Sequence, residues 1–103
     1  MGIIVHHRPS NNSASWNIHV WQSAWNGNTV WDRKGTPNGN IVDFELPDSP
    51  DPRKLQFKFY YTSVWEPDDF IRRLSLTTPA EVWTFSTMSG GNKECMTRGS
   101  LSR

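Results

Sequence analysis

The feature that most restricts this chain is how often it is interrupted. Arg8–Ser15 (RPSNNSAS), Asn26–Asn28, Lys34–Asn40 (KGTPNGN), Pro47–Arg53 (PDSPDPR) and Leu76–Pro79 are rich in Pro, Gly, Asn and Ser. These residues make turns, because Pro presets φ, Gly permits positive φ, and Asn and Ser bond their own backbone. No segment between them offers an amphipathic helix of useful length. The intervening runs alternate with period two and carry β-branched and aromatic residues, so they read as strands. Strands are expected at Ile3–His7, Trp16–Trp21, Ile41–Leu46 and Leu55–Tyr61, with shorter ones at Phe70–Leu74 and Ala80–Phe85 and a small one near Val30–Trp31.

Alternation also assigns faces. Trp16, Ile18 and Val20 make one stripe, and Val42, Phe44 and Leu46 another. Leu55, Phe57, Phe59 and Tyr61 make a third, opposite Gln56, Lys58 and Tyr60. Short strands spaced by turns predict an all-β domain, a β-sandwich or small barrel. No solenoid period repeats. The sandwich is expected over residues 1–86. Residues 87–103 (TMSGGNKECMTRGSLSR) have little to bury and read as a disordered tail or linker, with Cys95 an incidental exposed thiol.

Eleven Lys and Arg stand against ten Asp and Glu, a formal net charge of +1, without a basic run. Nucleic-acid binding rests on clustered cations and is not expected. The longest purely apolar run, Ile3–Val5, is far short of the roughly 20 residues a membrane span needs. A single cysteine excludes an internal disulfide framework. His6 and His7 are adjacent on a strand and point to opposite faces, so they cannot chelate together, and no metal-ligand spacing is present. No cofactor is expected. Asn11-Asn12-Ser13 is a glycosylation sequon, a short and common pattern.

The chain holds six tryptophans, at 16, 21, 25, 31, 65 and 83, although its mean hydropathy is −0.67. A polar chain with that many large rings must bury them or display some, and displayed rings mark binding surfaces. Trp16 and Trp83 are expected in the core. Opposite Trp16, the second strand carries Asn17, His19 and Trp21 on one face, a flat ledge beside polar groups. Such a ledge suits the C–H face and hydroxyls of a sugar, or else Trp21 closes the sandwich from outside. Trp65 stands in the polar loop Ser63–Asp69 (SVWEPDD), either as a binding ring or as a lid on the core. Asp68 and Asp69 read as solvated turn carboxylates rather than the pair a glycosidase needs.

In order, Val5-His6-His7-Arg8-Pro9, Trp16-Asn17-Ile18-His19-Val20-Trp21, a strand ending near Tyr61, Asp68-Asp69-Phe70-Ile71 and Glu81-Val82-Trp83 resemble the pullulanase-associated carbohydrate-binding modules of family 41. The resemblance spans roughly Ile3 to Phe85. It implies an immunoglobulin-like sandwich that binds α-glucans such as starch, glycogen and pullulan, without catalysis, on a secreted or surface glycoside hydrolase. It places the family's paired strand aromatics at His19 and Trp21, and its aspartate at Asp68, two residues before Phe70. The family's loop lysine has no clear counterpart, and Trp65, Trp25 or Trp31 could compensate. The expected ligand-binding set is therefore His19, Trp21, Trp65, Asp68 and Asn17. The expected partner is an α-1,4/α-1,6 glucan, bound by a monomer tethered to a catalytic domain. The competing expectation is a protein-interaction sandwich using the same aromatics as a hot spot.

Overall fold

The computed structural model describes residues 3–11, 14–22, 30–46, 55–66, 71–74, 80–87 and 90–91. Among them, ten strands form two sheets: β1 (Ile4–Arg8), β2 (Asn17–Gln22), β3 (Val30–Lys34), β4 (Thr36–Asn38), β5 (Ile41–Glu45), β6 (Leu55–Tyr61), β7 (Val64–Trp65), β8 (Arg72–Arg73), β9 (Glu81–Thr87) and β10 (Gly90–Gly91). No helix occurs among the described residues. The first sheet runs β10-β9-β1-β5-β4. The second runs β3-β2-β6-β7, with β8 also pairing β6. The chain is all-β, as alternation predicts, and its sheets pack on one another in the manner of a sandwich. All pairings are antiparallel except β1 with β9.

One strand is longer than expected, and two lie in stretches read as turn or loop. β3 continues past Trp31 to Lys34 because it pairs along the length of β2, from Asn17↔Lys34 to Trp21↔Val30. β4 falls inside the KGTPNGN stretch, where an edge position tolerates Pro37. Its turn to β5 holds Gly39 at φ +65, a conformation that glycine adopts freely. β7 carries Trp65 and pairs with Tyr60 and Tyr61 across the Thr62-Ser63 turn. Gly35, between β3 and β4, is buried, and a Cβ there would run into Val42 and sit 2.7 Å from the Phe44 ring.

The expected stripes form the core. Trp16, Ile18, Val20, Val42, Phe44, Leu46, Leu55, Phe57 and Phe59 are buried, joined by Ile3, Val5, Leu74 and Val82, while Tyr61 packs at the margin. Trp83 corrects the sequence reading. It is half-buried on the outer face of the first sheet, stacked on His6 with ring centroids 4.5 Å apart. The inward residues of β9 are Val82, Thr84 and Ser86. The reason is His7, which points inward from β1 and is fully buried. Its Nδ1 lies 2.7 Å from Thr84 Oγ1 and its Nε2 2.8 Å from Ser86 Oγ. A neutral imidazole donates from one nitrogen and accepts at the other, so two hydroxyls on one face of β9 satisfy it. Burial, and next the Arg72 charge, hold the His7 pKa well below the usual imidazole range. The ring stacks on Phe59 of the opposite sheet at 3.6 Å.

Candidate functional site

Pairing of β2 with β6 in the register Asn17↔Tyr60, His19↔Lys58 and Trp21↔Gln56 makes one outward face from residues scattered in sequence. β3 adds Asp32 opposite His19, and β7 adds Trp65 opposite Tyr60. Trp65 is 43% exposed, a large hydrophobic surface that folding leaves in water. It stacks on Tyr60 at 3.9 Å with planes 10° apart. His19 joins the two tryptophans, with centroids 5.3 Å from Trp21 and 5.3 Å from Trp65. Lys58 Nζ lies 5.3 Å from the Trp65 ring centroid, within cation–π range.

Polar contacts hold these rings in place. His19 Nδ1 donates to Asp32 Oδ1 at 2.8 Å, and the Tyr60 hydroxyl donates to the same oxygen at 3.4 Å. With Nδ1 as donor, Nε2 of the neutral His19 ring is an acceptor, suited to a hydroxyl. Burial, then the Asp32 charge and hydrogen bond, raise the Tyr60 pKa, which keeps the phenol protonated. Arg73 Nη2 donates to Gln56 Oε1 at 3.3 Å beyond Trp21's partner position.

The structure thus brings His19, Trp21 and Trp65 together. Asn17 lies on the same face, at the far end of β2, and its amide donates to the Ser15 carbonyl at 3.5 Å. Asp68 lies outside the described residues, as do Trp25 and Cys95. Trp31 packs against the core edge with Arg33 4.8 Å over its ring, away from the ledge. Asp32, Lys58 and Tyr60 are members of the face that sequence reasoning did not name. Alternation already set Lys58 and Tyr60 outward; the missing information was that β6 lies beside β2. A cleft of about 300 Å³ lies elsewhere, lined by residues including Pro9, Trp16, Pro37 and Ile41, and touches none of these rings.

Glu66 departs from what its polar neighbours imply, being buried directly after the exposed Trp65. Its backbone N–H donates to the Phe59 carbonyl at 3.1 Å, and its Oε1 accepts the Phe59 N–H at 2.8 Å. Arg72, fully buried, grips both carboxylate oxygens from Nη1 at 2.6 Å and Nη2 at 3.0 Å. Nη2 also reaches the Phe85 carbonyl of the other sheet at 2.9 Å. Arg72 Nε is buried with no hydrogen-bond partner among the described residues.

No family model, curated protein or solved structure matches this chain. The face itself offers four linked rings, Trp21, His19, Trp65 and Tyr60, with Trp65 widely exposed and the Asp32 carboxylate and Lys58 ammonium beside them.

Proposed function

We propose that the outer face of the second sheet binds an α-glucan chain without catalysis, within a sandwich of immunoglobulin-like type, as the family 41 resemblance implies. The observation that carries this reading is the exposed Trp65 ring in contact with His19, which in turn touches Trp21. A pyranose offers an apolar C–H patch to an indole and hydroxyls to its surroundings, and the ledge offers both kinds of partner. Trp21 and Trp65 stack on glucose rings, His19 Nε2 accepts a hydroxyl, and Asn17 and Asp68 complete the polar contacts. Lys58, on β6, takes the part of the family's loop lysine, which has no clear counterpart in this sequence. In this reading the domain targets an attached glycoside hydrolase, secreted or at the cell surface, to starch, glycogen or pullulan.

Stacking on a wet, open face gives modest affinity, roughly micromolar to millimolar, about −4 to −8 kcal/mol. The test is affinity electrophoresis through gels of amylopectin, pullulan and a β-glucan. Retardation by the α-glucans alone, lost in Trp21→Ala, is expected; unchanged mobility of wild type in every gel overturns the reading.

Val64, 48% exposed beside Trp65, favours a second reading, since an aliphatic side chain offers no stacking plane. A protein partner would bury both as a hot spot. Elution that shifts with protein concentration in size-exclusion chromatography, with no fluorescence response to maltoheptaose, selects that reading.

A further inference from the structure

The partner edge of β6 is shared by two very short strands. β7 covers Tyr60 and Tyr61, while β8 covers Gln56 and Phe57. Between them the ladder is broken at Phe59, and a broken ladder leaves backbone groups that must be satisfied. Glu66 closes the break from both its backbone and its side chain. Arg72 secures that carboxylate bidentately and ties it to β9 of the opposite sheet. At the other end of β7, Thr62 sits at φ 48, a left-handed conformation that is strained for a β-branched residue. A two-residue strand with a strained turn has little holding it at that end, so its order depends on the end fixed at Glu66.

We infer that the buried Glu66–Arg72 pair is a positioning clasp that holds Trp65 in its stacked, binding-ready orientation on Tyr60. This rests on the proposed sugar-binding reading of the face. Glu66 follows Trp65 directly, and with both its N–H and its carboxylate bound to Phe59 it anchors the backbone that carries the indole. Ordering a loose side chain and its backbone at the moment of binding weakens affinity, and a ring fixed beforehand avoids that cost.

The test uses the paired variant Glu66→Gln/Arg72→Met. The new amide oxygen can still accept the Phe59 N–H, and removing both charges leaves neither buried alone. Wild type, Trp65→Ala and the paired variant are each titrated with maltoheptaose, with melting curves and near-ultraviolet circular dichroism of the Tyr60–Trp65 stack. The expected result is a cooperative melt, a weakened aromatic signal and affinity about tenfold lower in the paired variant, consistent with the ordering cost. A folded paired variant with full affinity, beside a Trp65→Ala variant that loses it, overturns the clasp and leaves the sugar-binding reading standing. Full affinity in Trp65→Ala overturns the role of Trp65 itself, and the clasp's purpose with it. If the paired variant does not melt cooperatively, amide exchange in wild type decides. The Phe59 and Glu66 amides should be as protected as the β2–β6 pairs, and exchange as fast as the Thr62 turn overturns the clasp.

Discussion

The two outer faces of the sandwich are built from the same parts and use them differently. On the first sheet, His6 donates from Nδ1 to Asp43 at 2.7 Å; on the second, His19 does so to Asp32 at 2.8 Å. Each histidine lies against a tryptophan. His6 stacks on Trp83 with planes 30° apart and has a second carboxylate, Glu81, 3.4 Å from Nε2. His19 instead meets Trp21 at 39° and Trp65 at 79°, and among the described residues its one ion-pair partner is Asp32, at Nδ1. On the first sheet the ring and both imidazole nitrogens are consumed by internal contacts. On the second, stacking partners are arranged around the histidine and Trp65 keeps much of its surface in water. A His–Asp–Trp grouping is thus not a signature by itself; its orientation decides whether it covers a sheet or leaves a ring in water.

That contrast can be broken most forcefully at the clasp. Arg72→Met alone strands the Glu66 carboxylate in the core and is expected to cost about 3–5 kcal/mol, read as a lower midpoint in urea. It should loosen the second face first, so that amides near Trp65 exchange before those beside Trp83. Next in size is the binding contrast. Trp65→Ala is expected to weaken maltoheptaose binding by about tenfold, in line with the value of one stacked aromatic contact. Trp83→Ala should leave binding intact and lower the melting temperature. Equal losses of affinity in the two variants would mean that both faces bind.

A third test separates the buried histidine from the two on the outer faces. The folded pKa of His7 is depressed, so below about 6.5 the unfolded chain takes up a proton that the folded chain refuses. Its contribution is therefore fully present above pH 6.5 and is lost as pH falls from there toward the folded pKa, by at most about 1.4 kcal/mol per pH unit. Urea midpoints from pH 7.5 to 5 should show that slope in wild type, and much less of it in His7→Gln. The smallest effect is expected at the turn before Trp65. Thr62→Gly relieves the positive φ and should gain about 1 kcal/mol or less, offset in part by greater freedom of the unfolded chain.

Much of this architecture was legible because alternation is a local property. The stripe Leu55, Phe57 and Phe59 and the face Asn17, His19 and Trp21 follow from parity, whichever strands lie alongside. Trp83 was not legible, because Glu81–Phe85 offers apolar residues in both phases. Trp83 and Phe85 look like the heavier core stripe, and a shift of one residue exchanges every side chain between faces. The need of His7 for the Thr84 and Ser86 hydroxyls fixes the phase, and that need exists only once β1 lies beside β9. Glu66 was illegible for a similar reason. A carboxylate in SVWEPDD reads as solvated until Arg72, six positions on, meets it in the interior. Asp32 entered the face through strand pairing, which composition does not encode.

The parallel pairing of β1 with β9 has a mechanical meaning. Parallel neighbours place Ile4 beside Glu81 and Arg8 beside Phe85. A pull on the chain before β1 and after β9 would therefore drag the two strands past each other along their length. Their slanted ladder bonds would share that load in shear rather than open one at a time. The two-residue β10, paired antiparallel to β9, would peel away first as a short zipper.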